Sequence, residues 1–397
     1  MATQPLDPEL LPYNQRDVLG GKFPPRVYFS DCTLRDGEQQ AGLVISRENK
    51  LKIAQLLAEL GVFEIEAGTP AVSPEDAAAV AEIAAKVPVK VSALARAMKS
   101  DIDGVAATGA WGVRVSLPAG KLQLQYKLKI DVKQYLEKAL EATAYAKQKG
   151  LYVIFSPYDT TRSEEPFLRE VVRTVSRAGS ADRFRLVDTT GSATPDAIRY
   201  LVRLMLEEGG GIPIEIHVHD DFGLATANSV AGVQAGATYV SCTMNSLGER
   251  CGNAALEQIA AVLEMMYCVE TGIHLERLTP TSHAVSWLTR TSLPPNTPVV
   301  GDNSFRHESG LVIGSLLKEP RTGEPYSPEL VGQTRRIVVG KKSGSESVKY
   351  KLAQMGVTTD EATMDAILKE VKERSLFLER GLDDAEFREI ASHFKLG

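Results

Sequence analysis

Residues 184–221 read FRLVDTTGSATPDAIRYLVRLMLEEGGGIPIEIHVHDD. They hold an apolar run, FRLVD (184–188), a helical pattern opening at Thr194, and a second apolar run, IEIHV (214–218). Strand, crossover helix and strand over about 30 residues is the unit of a parallel sheet covered by helices. The unit recurs outward from this stretch. Toward the N-terminus lie VYFSD (27–31), FEIEA (63–67), KVSAL (90–94), VRVSL (113–117) and YVIFS (152–156); toward the C-terminus lies YVSCT (239–243). Helical patterns follow Ser46, Ser73, Ile130, Ser163, Thr194, Ala225 and Asn253. Ser46 is a fair N-cap for the first of them, which runs to a stop at Gly61. Eight strand–helix units over about 240 residues predict an α/β fold, a (β/α)8 TIM barrel. A doubly wound open sheet needs fewer units, and no GxGxxG follows the first strand here.

The rest of the 397 residues divides around that barrel. Residues 1–25 read as an N-terminal arm, 26–270 as the barrel, and 271–397 as a C-terminal, mostly helical subdomain. In the last, HLERLTPTSHAVSWLTR (274–290) reads as one helix, and DEATMDAILKEVKERSLFLERG (360–381) and DDAEFREIASHF (383–394) as two closing helices. The balance of 45 Lys+Arg against 51 Asp+Glu argues against a nucleic-acid surface. There is no signal-peptide pattern and no apolar run of about 18 residues, so neither secretion nor a membrane span is expected. The cysteines, at 32, 242, 251 and 268, form no CxxC pair. That disfavours a disulfide framework or a structural zinc site and points to a reduced, cytoplasmic protein.

Active sites of such barrels sit at the carboxyl ends of the strands. His217 and His219 are two apart on strand 7, so their side chains share one face and form a natural pair of metal ligands. Asp36, in DCTLRDGEQ after strand 1, is a candidate anionic third ligand, and Asn253, after strand 8, offers an amide oxygen. Mixed nitrogen and oxygen ligation suits a catalytic divalent cation such as Mg, Mn or Zn. Glu64 and Glu66 share a face of strand 2, and a carboxylate inside a barrel needs a partner. Arg35 is the obvious one, and an arginine so held beside a metal is a fixed electrophile for an enolate or alkoxide oxygen. Ser156 and Thr189 supply hydroxyls at the same rim, and Arg96 supplies a clamp for a carboxylate. No lysine stands at a strand's carboxyl end, which disfavours Schiff-base chemistry, and there is no nucleophile elbow or P-loop. Metal-assisted enolate formation or carbon–carbon bond chemistry remains.

DCTLRDGEQQAG, HVHDDFGLATANSVAG and NSLGERCGNAALEQ together resemble the DRE-TIM metallolyase superfamily, closest to its 2-isopropylmalate, homocitrate and citramalate synthase branch. The similarity runs from about residue 26 through HESG (307–310) and GKKSG (340–344). The resemblance implies a barrel that binds a divalent cation and a 2-oxo acid, adds the acyl group of acetyl-CoA or a similar acyl-CoA, and hydrolyses the thioester. It implies Asp36, His217 and His219 as metal ligands with Asn253 beside them, Arg35 and Glu66 at the developing oxyanion, and Ser156, Thr189 and, loosely, Arg96 around the oxo acid. It also implies a homodimer. The lyase branch, with a Cys-bearing glycine loop absent here, is the alternative: cleavage of a hydroxy acid on the same metal.

Four positions depart from the synthase pattern. HESGIH has become HESGLV, which puts Val312 where a histidine associated with activating the acetyl-CoA methyl group is usual. The usual glutamate of the strand-5 loop is Tyr158, a histidine of the strand-4 loop is Gln123, and GKHSG reads GKKSG at Lys342. Tyr158, Asp159, His307 or Lys342 is then left to move the proton. Ile154 does not supply the basic residue that some homocitrate synthases use for a distal carboxylate; Arg96, Arg114 or Lys127 is left to reach a second acid group.

Overall fold

The computed structural model describes residues 6–7, 10–14 and 23–394. The arm expected over 1–25 lies mostly outside them. Two compact units divide the chain, Met1–Leu293 and Pro294–Gly397.

The first unit is a closed barrel in sequence order, β1 (Tyr28–Asp31), β2 (Glu64–Glu66), β3 (Lys90–Arg96), β4 (Gly112–Pro118), β5 (Tyr152–Tyr158), β6 (Arg183–Asp188), β7 (Ile214–Val218) and β8 (Tyr239–Cys242). Every neighbouring pair is parallel, and β1 closes on β8 with Ser30 opposite Ser241. The apolar runs read from the sequence are these strands, shifted by a residue or two at their ends. The crossovers are α1 (Arg47–Leu60), α2 (Pro74–Lys86), α3 (Lys99–Ala107), α4 (Val132–Gln148), α5 (Glu165–Arg177), α6 (Pro195–Glu208) and α7 (Ala225–Gln234), with α8 (Leu256–Ala261) after β8. Ser46 accepts from the Asn49 N–H and caps α1, and Gly61 ends it at φ 99°. Such a cap contributes about 1 kcal/mol. The sequence reading passed over α3. Its N-cap, Met98, makes no capping bond, and Asp101, Asp103 and Gly104 break the apolar pattern; only Ile102, Val105 and the buried Asp101 face inward.

The first unit runs past residue 270, where the rhythm of the sequence breaks. Helix α9 (Leu278–Thr289) lies against α1 and the loop after β8: Asn49 Nδ2 donates to the Leu288 carbonyl at 3.0 Å, and Asn245 Nδ2 to the Ser282 carbonyl at 2.9 Å. These bonds and the buried Leu278, Val285 and Leu288 make α9 part of the barrel's cover.

The barrel interior is ionic. Arg114, Arg183 and Arg185 alternate with Glu64, Glu66 and Glu215, every one at most 2% exposed. Arg183 meets Glu64 at 2.9 Å and Glu215 at 2.5 Å; Arg185 meets Glu66 at 2.9 Å and Glu215 at 2.8 Å. Arg114 touches all three carboxylates, at 2.5, 2.9 and 3.3 Å. Arg114 is therefore not available to a substrate's second acid group, contrary to the expectation: its charge is spent inside the barrel. The charges cancel three against three. A buried network of this kind adds little net stability, but removing one partner strands the others, at about 3–5 kcal/mol.

In the second unit β9 (Arg306–His307) pairs parallel with β10 (Arg336–Ile337). Helix α10 (Gly310–Leu316) packs Ile313 and Leu316 on Ile337. Helices α11 (Ser345–Gln354), α12 (Glu361–Leu378) and α13 (Asp384–Ser392) share a core of Val348, Leu352, Ile367, Val371, Phe387 and Ile390. The two closing helices read from the sequence are α12 and α13; α10 and α11 were not read.

Candidate active site at the carboxyl end of the barrel

After β1 the chain turns tightly, with the N–H groups of Arg35, Asp36 and Gly37 all directed at the Cys32 carbonyl (3.1, 2.8 and 3.1 Å). The turn brings Arg35 and Asp36 over the barrel mouth. Arg35 donates to both oxygens of Glu66, from Nε at 2.6 Å and from Nη2 at 3.1 Å, and from Nη1 to Gln39 Oε1 at 3.1 Å. Burial opposes ionisation of Glu66, but Arg185, Arg35 and Arg114 hold its carboxyl well below the usual range. The expected Arg35–Glu66 pair is thus present, in the bidentate geometry that fixes a guanidinium plane.

His217 Nε2 lies 2.9 Å from Asp36 Oδ2, and His219 Nε2 lies 3.8 Å from the same oxygen. All three residues are buried. Burial and then the Arg185 guanidinium push the His217 imidazolium down to about 3, so the ring is neutral at physiological pH. Burial also lowers His219. Asp36 is disfavoured as an anion by burial, yet Arg35 and the two histidines keep its carboxyl well below the usual range. Asn253 is bridged through its backbone to His219. Its Nδ2 donates to the Leu247 carbonyl at 3.2 Å, while its Oδ1, His219 Nδ1 and Asp36 Oδ2 are buried with no hydrogen-bond partner among the described residues. Buried polar atoms are almost always paired. Unpaired oxygens on Asp36 and Asn253, with two imidazole Nε2 atoms approaching the Asp36 carboxylate, fit a divalent cation, and Asp36, His217, His219 and Asn253 are the residues that would hold it. Cys32 also lies within reach of Asp36 and His217. Burial pushes its thiol far up, and its Sγ donates to the Cys242 carbonyl at 3.3 Å.

A cavity of about 550 Å³ opens above these groups. Arg35, Asp36, His217 and His219 form its floor, and Ser156, Thr189, Tyr158 and Arg96 line it as well. Leu94, Leu117, Leu128 and Val187 give it apolar walls. Thr189 Oγ1 accepts from the Asp159 N–H at 2.9 Å, which leaves its own proton for the cavity. Tyr158 oxygen accepts from Lys127 Nζ at 2.8 Å, with the same consequence. Arg96 reaches the cavity while holding Asp101 through Nε (2.7 Å) and Nη2 (3.0 Å). Asp159 is excluded as a proton carrier: it is fully buried and clamped by Arg162 at 2.7 and 2.9 Å, away from the cavity. In the second unit His307 is paired with Glu324 at 3.1 Å.

The sequence reading missed Arg185, Ser241 and Arg250. Arg250 donates to both oxygens of Asp221 (2.8 and 2.9 Å) and to the Thr189 carbonyl (2.7 Å), so it ties together the loops after β6, β7 and β8. Arg185 had a signal: two arginines at i and i+2 in RFRLVD place both on one face of the strand, as with Glu64 and Glu66.

A family model described as HMGL-like matches residues 26–285, and one described as homocitrate synthase post-HMGL domain-like matches residues 299–376. A protein named "Probable 2-isopropylmalate synthase" from Ignicoccus hospitalis is 45% identical over 351 residues, 88% of each chain. A homocitrate synthase of Methanopyrus kandleri is 42% identical over 362 residues, 91% of each chain. A 2-isopropylmalate synthase of Sulfolobus acidocaldarius is 40% identical over 349 residues, 87% of this chain and 90% of its own. Among solved structures, the HMG-CoA lyase of Bacillus subtilis superposes with a TM-score of 0.61 at 22% identity, covering 69% of this chain and 97% of its own, a likeness of fold. With the barrel, the post-HMGL segment and relatives of this similarity over most of its length, the chain belongs to the HMGL-like family of DRE-TIM barrel proteins.

Proposed function

We propose that the protein is an acyltransferase that condenses an acyl-CoA, such as acetyl-CoA, with a 2-oxo acid in a metal-dependent Claisen-type reaction. The product is a 2-hydroxy dicarboxylic or tricarboxylic acid, with CoA released by hydrolysis. The observation that carries this reading is the guanidinium of Arg35, locked by Glu66 beside Asp36, His217 and His219 at the floor of the cavity. The synthase names of the relatives at 40–45% identity support it, as does the post-HMGL segment. The lyase direction has support only from the fold.

Asp36, His217, His219 and Asn253 would hold a divalent cation (Mg, Mn or Zn), which when bound would supply Lewis-acid polarisation of the oxo acid's carbonyl. The protein does the rest. Arg35 has five N–H groups. Three are spent on Glu66 and Gln39, which leaves two to meet the oxygen on which negative charge develops. The Thr189 and Ser156 hydroxyls orient the oxo acid's carboxylate, and Arg96 stands at the same wall as its clamp. Tyr158, with its oxygen held by Lys127, is the proton-transfer residue of the cavity. No described helix is long and apolar enough to cross a bilayer. The same reading takes the enzyme as a cytoplasmic homodimer. Its free cysteines suit a reducing compartment, and the exposed Trp287, Leu311 and Phe377 are surfaces for a second copy to cover.

Replacing Arg35 with Gln tests the reading. The variant should lose about 100- to 1,000-fold in kcat, since one oxyanion donor is worth that much, while the oxo-acid KM moves little. Full activity in Arg35→Gln refutes the assigned role.

A further inference from the structure

One hydroxyl joins the two halves of this site. Ser241, at the barrel interior on β8, lies with its Oγ 2.9 Å from His217 Nδ1, 2.6 Å from Arg185 Nη2 and 3.4 Å from Cys32 Sγ. The same Arg185 nitrogen donates to Glu66 Oε2 at 2.9 Å, and Glu66 holds Arg35. Ser241 is fully buried, so each proton and lone pair must be accounted for inside the protein.

Arg185 can only donate, so it always occupies one lone pair of Ser241. The Cys32 thiol spends its single proton on the Cys242 carbonyl, so its sulfur is free to accept. Two complete arrangements follow, and they differ at His217. In the first, Ser241 donates to Nδ1 and the ring carries its proton on Nε2, 2.9 Å from Asp36 Oδ2 but not aligned as a hydrogen bond to it. In the second, the ring carries its proton on Nδ1 and donates it to the second lone pair of Ser241. The serine hydrogen then turns to Cys32 Sγ, and Nε2 presents a lone pair beside Asp36. The first arrangement suits a site with no cation, because a proton rather than a lone pair then faces the Asp36 carboxylate. The second is the one a cation requires, because Nε2 and Asp36 Oδ2 then converge as two acceptors.

We propose that Ser241 is a positioning residue that lets His217 exchange tautomer when a cation enters, donating to Nδ1 without the cation and accepting from Nδ1–H with it. The imidazole keeps one proton throughout. Arg185 orients the hydroxyl and, through Glu66, shares that orientation with Arg35. The inference rests on the reading of Asp36 and His217 as cation ligands.

The experiment pairs nitrogen-15 NMR of the histidine rings with calorimetric Zn²⁺ titration. The full chain is used, as wild type, Asp36→Asn, Ser241→Ala and Ser241→Thr. Wild-type His217 should move from the Nε2–H to the Nδ1–H form as Zn²⁺ is added. Ser241→Ala strands Nδ1–H in the cation-bound state, so its Zn²⁺ Kd should rise about 10- to 100-fold, the cost of losing a ligand's hydrogen-bond partner; Ser241→Thr should restore most of it. A His217 that keeps one tautomer with and without Zn²⁺ overturns the proposal even where Ser241→Ala fails to fold. So does an unchanged Kd in a folded Ser241→Ala. If wild type and Asp36→Asn bind Zn²⁺ alike, the cation site itself falls, and this inference with it.

Discussion

Glu66 meets three arginines, and how it came to be recognised shows how far individual residues can be read. Two glutamates at i and i+2 in a strand read as FEIEA had to share a face, and a buried carboxylate demands a cation. Arg35 followed from that, as His217 and His219 followed from the same spacing. Arg183 and Arg185 obey the identical rule, yet their role depends on register: Arg185 stands opposite Glu215, and strand pairing is not written in any one strand. Arg114 failed as a candidate for the same reason. At this scale, Asp36→Asn or His217→Ala should abolish metal-dependent turnover and metal binding by calorimetry, leaving the circular dichroism of the barrel intact; normal metal binding in either contradicts the assigned ligands. Val312→His restores the residue usual in the synthases. It should raise acetyl-CoA turnover several-fold in a thiol-release assay if that histidine is what ordinary acetyl-CoA chemistry lacks here.

Elements were legible where packing is periodic and illegible where backbone conformation decides. Each apolar run became a strand because both faces of a parallel barrel strand are buried. Helix α3 was lost for want of a cap and a clean apolar stripe. The loop after β8 was legible only as a motif. It delivers Asn253 through left-handed residues at Asn245 (φ 59°), Ser246 (φ 56°) and Arg250 (φ 57°), with Gly252 at φ 95°. A side chain at Gly252 would both oppose that φ and strike the Ser246 carbonyl. Gly252→Ala should therefore cost more than about 1 kcal/mol in urea unfolding, and weaken metal binding at least about tenfold by displacing Asn253. Unchanged affinity would mean that Asn253 is not a ligand.

For the whole molecule, the fold places acidic groups in two opposite situations. Asp36 and Glu66, held low by arginines after burial is overcome, stabilise the folded state above the ordinary carboxylate range and lose that contribution as pH falls. Asp31 and Glu257 are pushed up to about 7 by burial, so between about pH 4 and 7 the folded state holds protons that the unfolded chain has released. Their contribution is complete below that window and is lost as pH rises through it. Glu257→Gln keeps an acceptor for the Asn245 N–H and removes the charge. The drop in unfolding free energy from pH 5 to pH 8 should shrink by about 1–3 kcal/mol in this variant; an identical drop rules Glu257 out as its source. Composition argued against a nucleic-acid surface and bounded the domain count, but it could not reveal a barrel whose interior holds six paired charges beneath Asp36, His217 and His219. The most direct test of the central claim is CoA-thiol release from acetyl-CoA across a panel of 2-oxo acids, with added divalent cation and with chelator. Thiol release that needs both an oxo acid and the cation is the predicted result; no thiol release with any oxo acid, together with oxo-acid release from a 2-hydroxy acid, would contradict it.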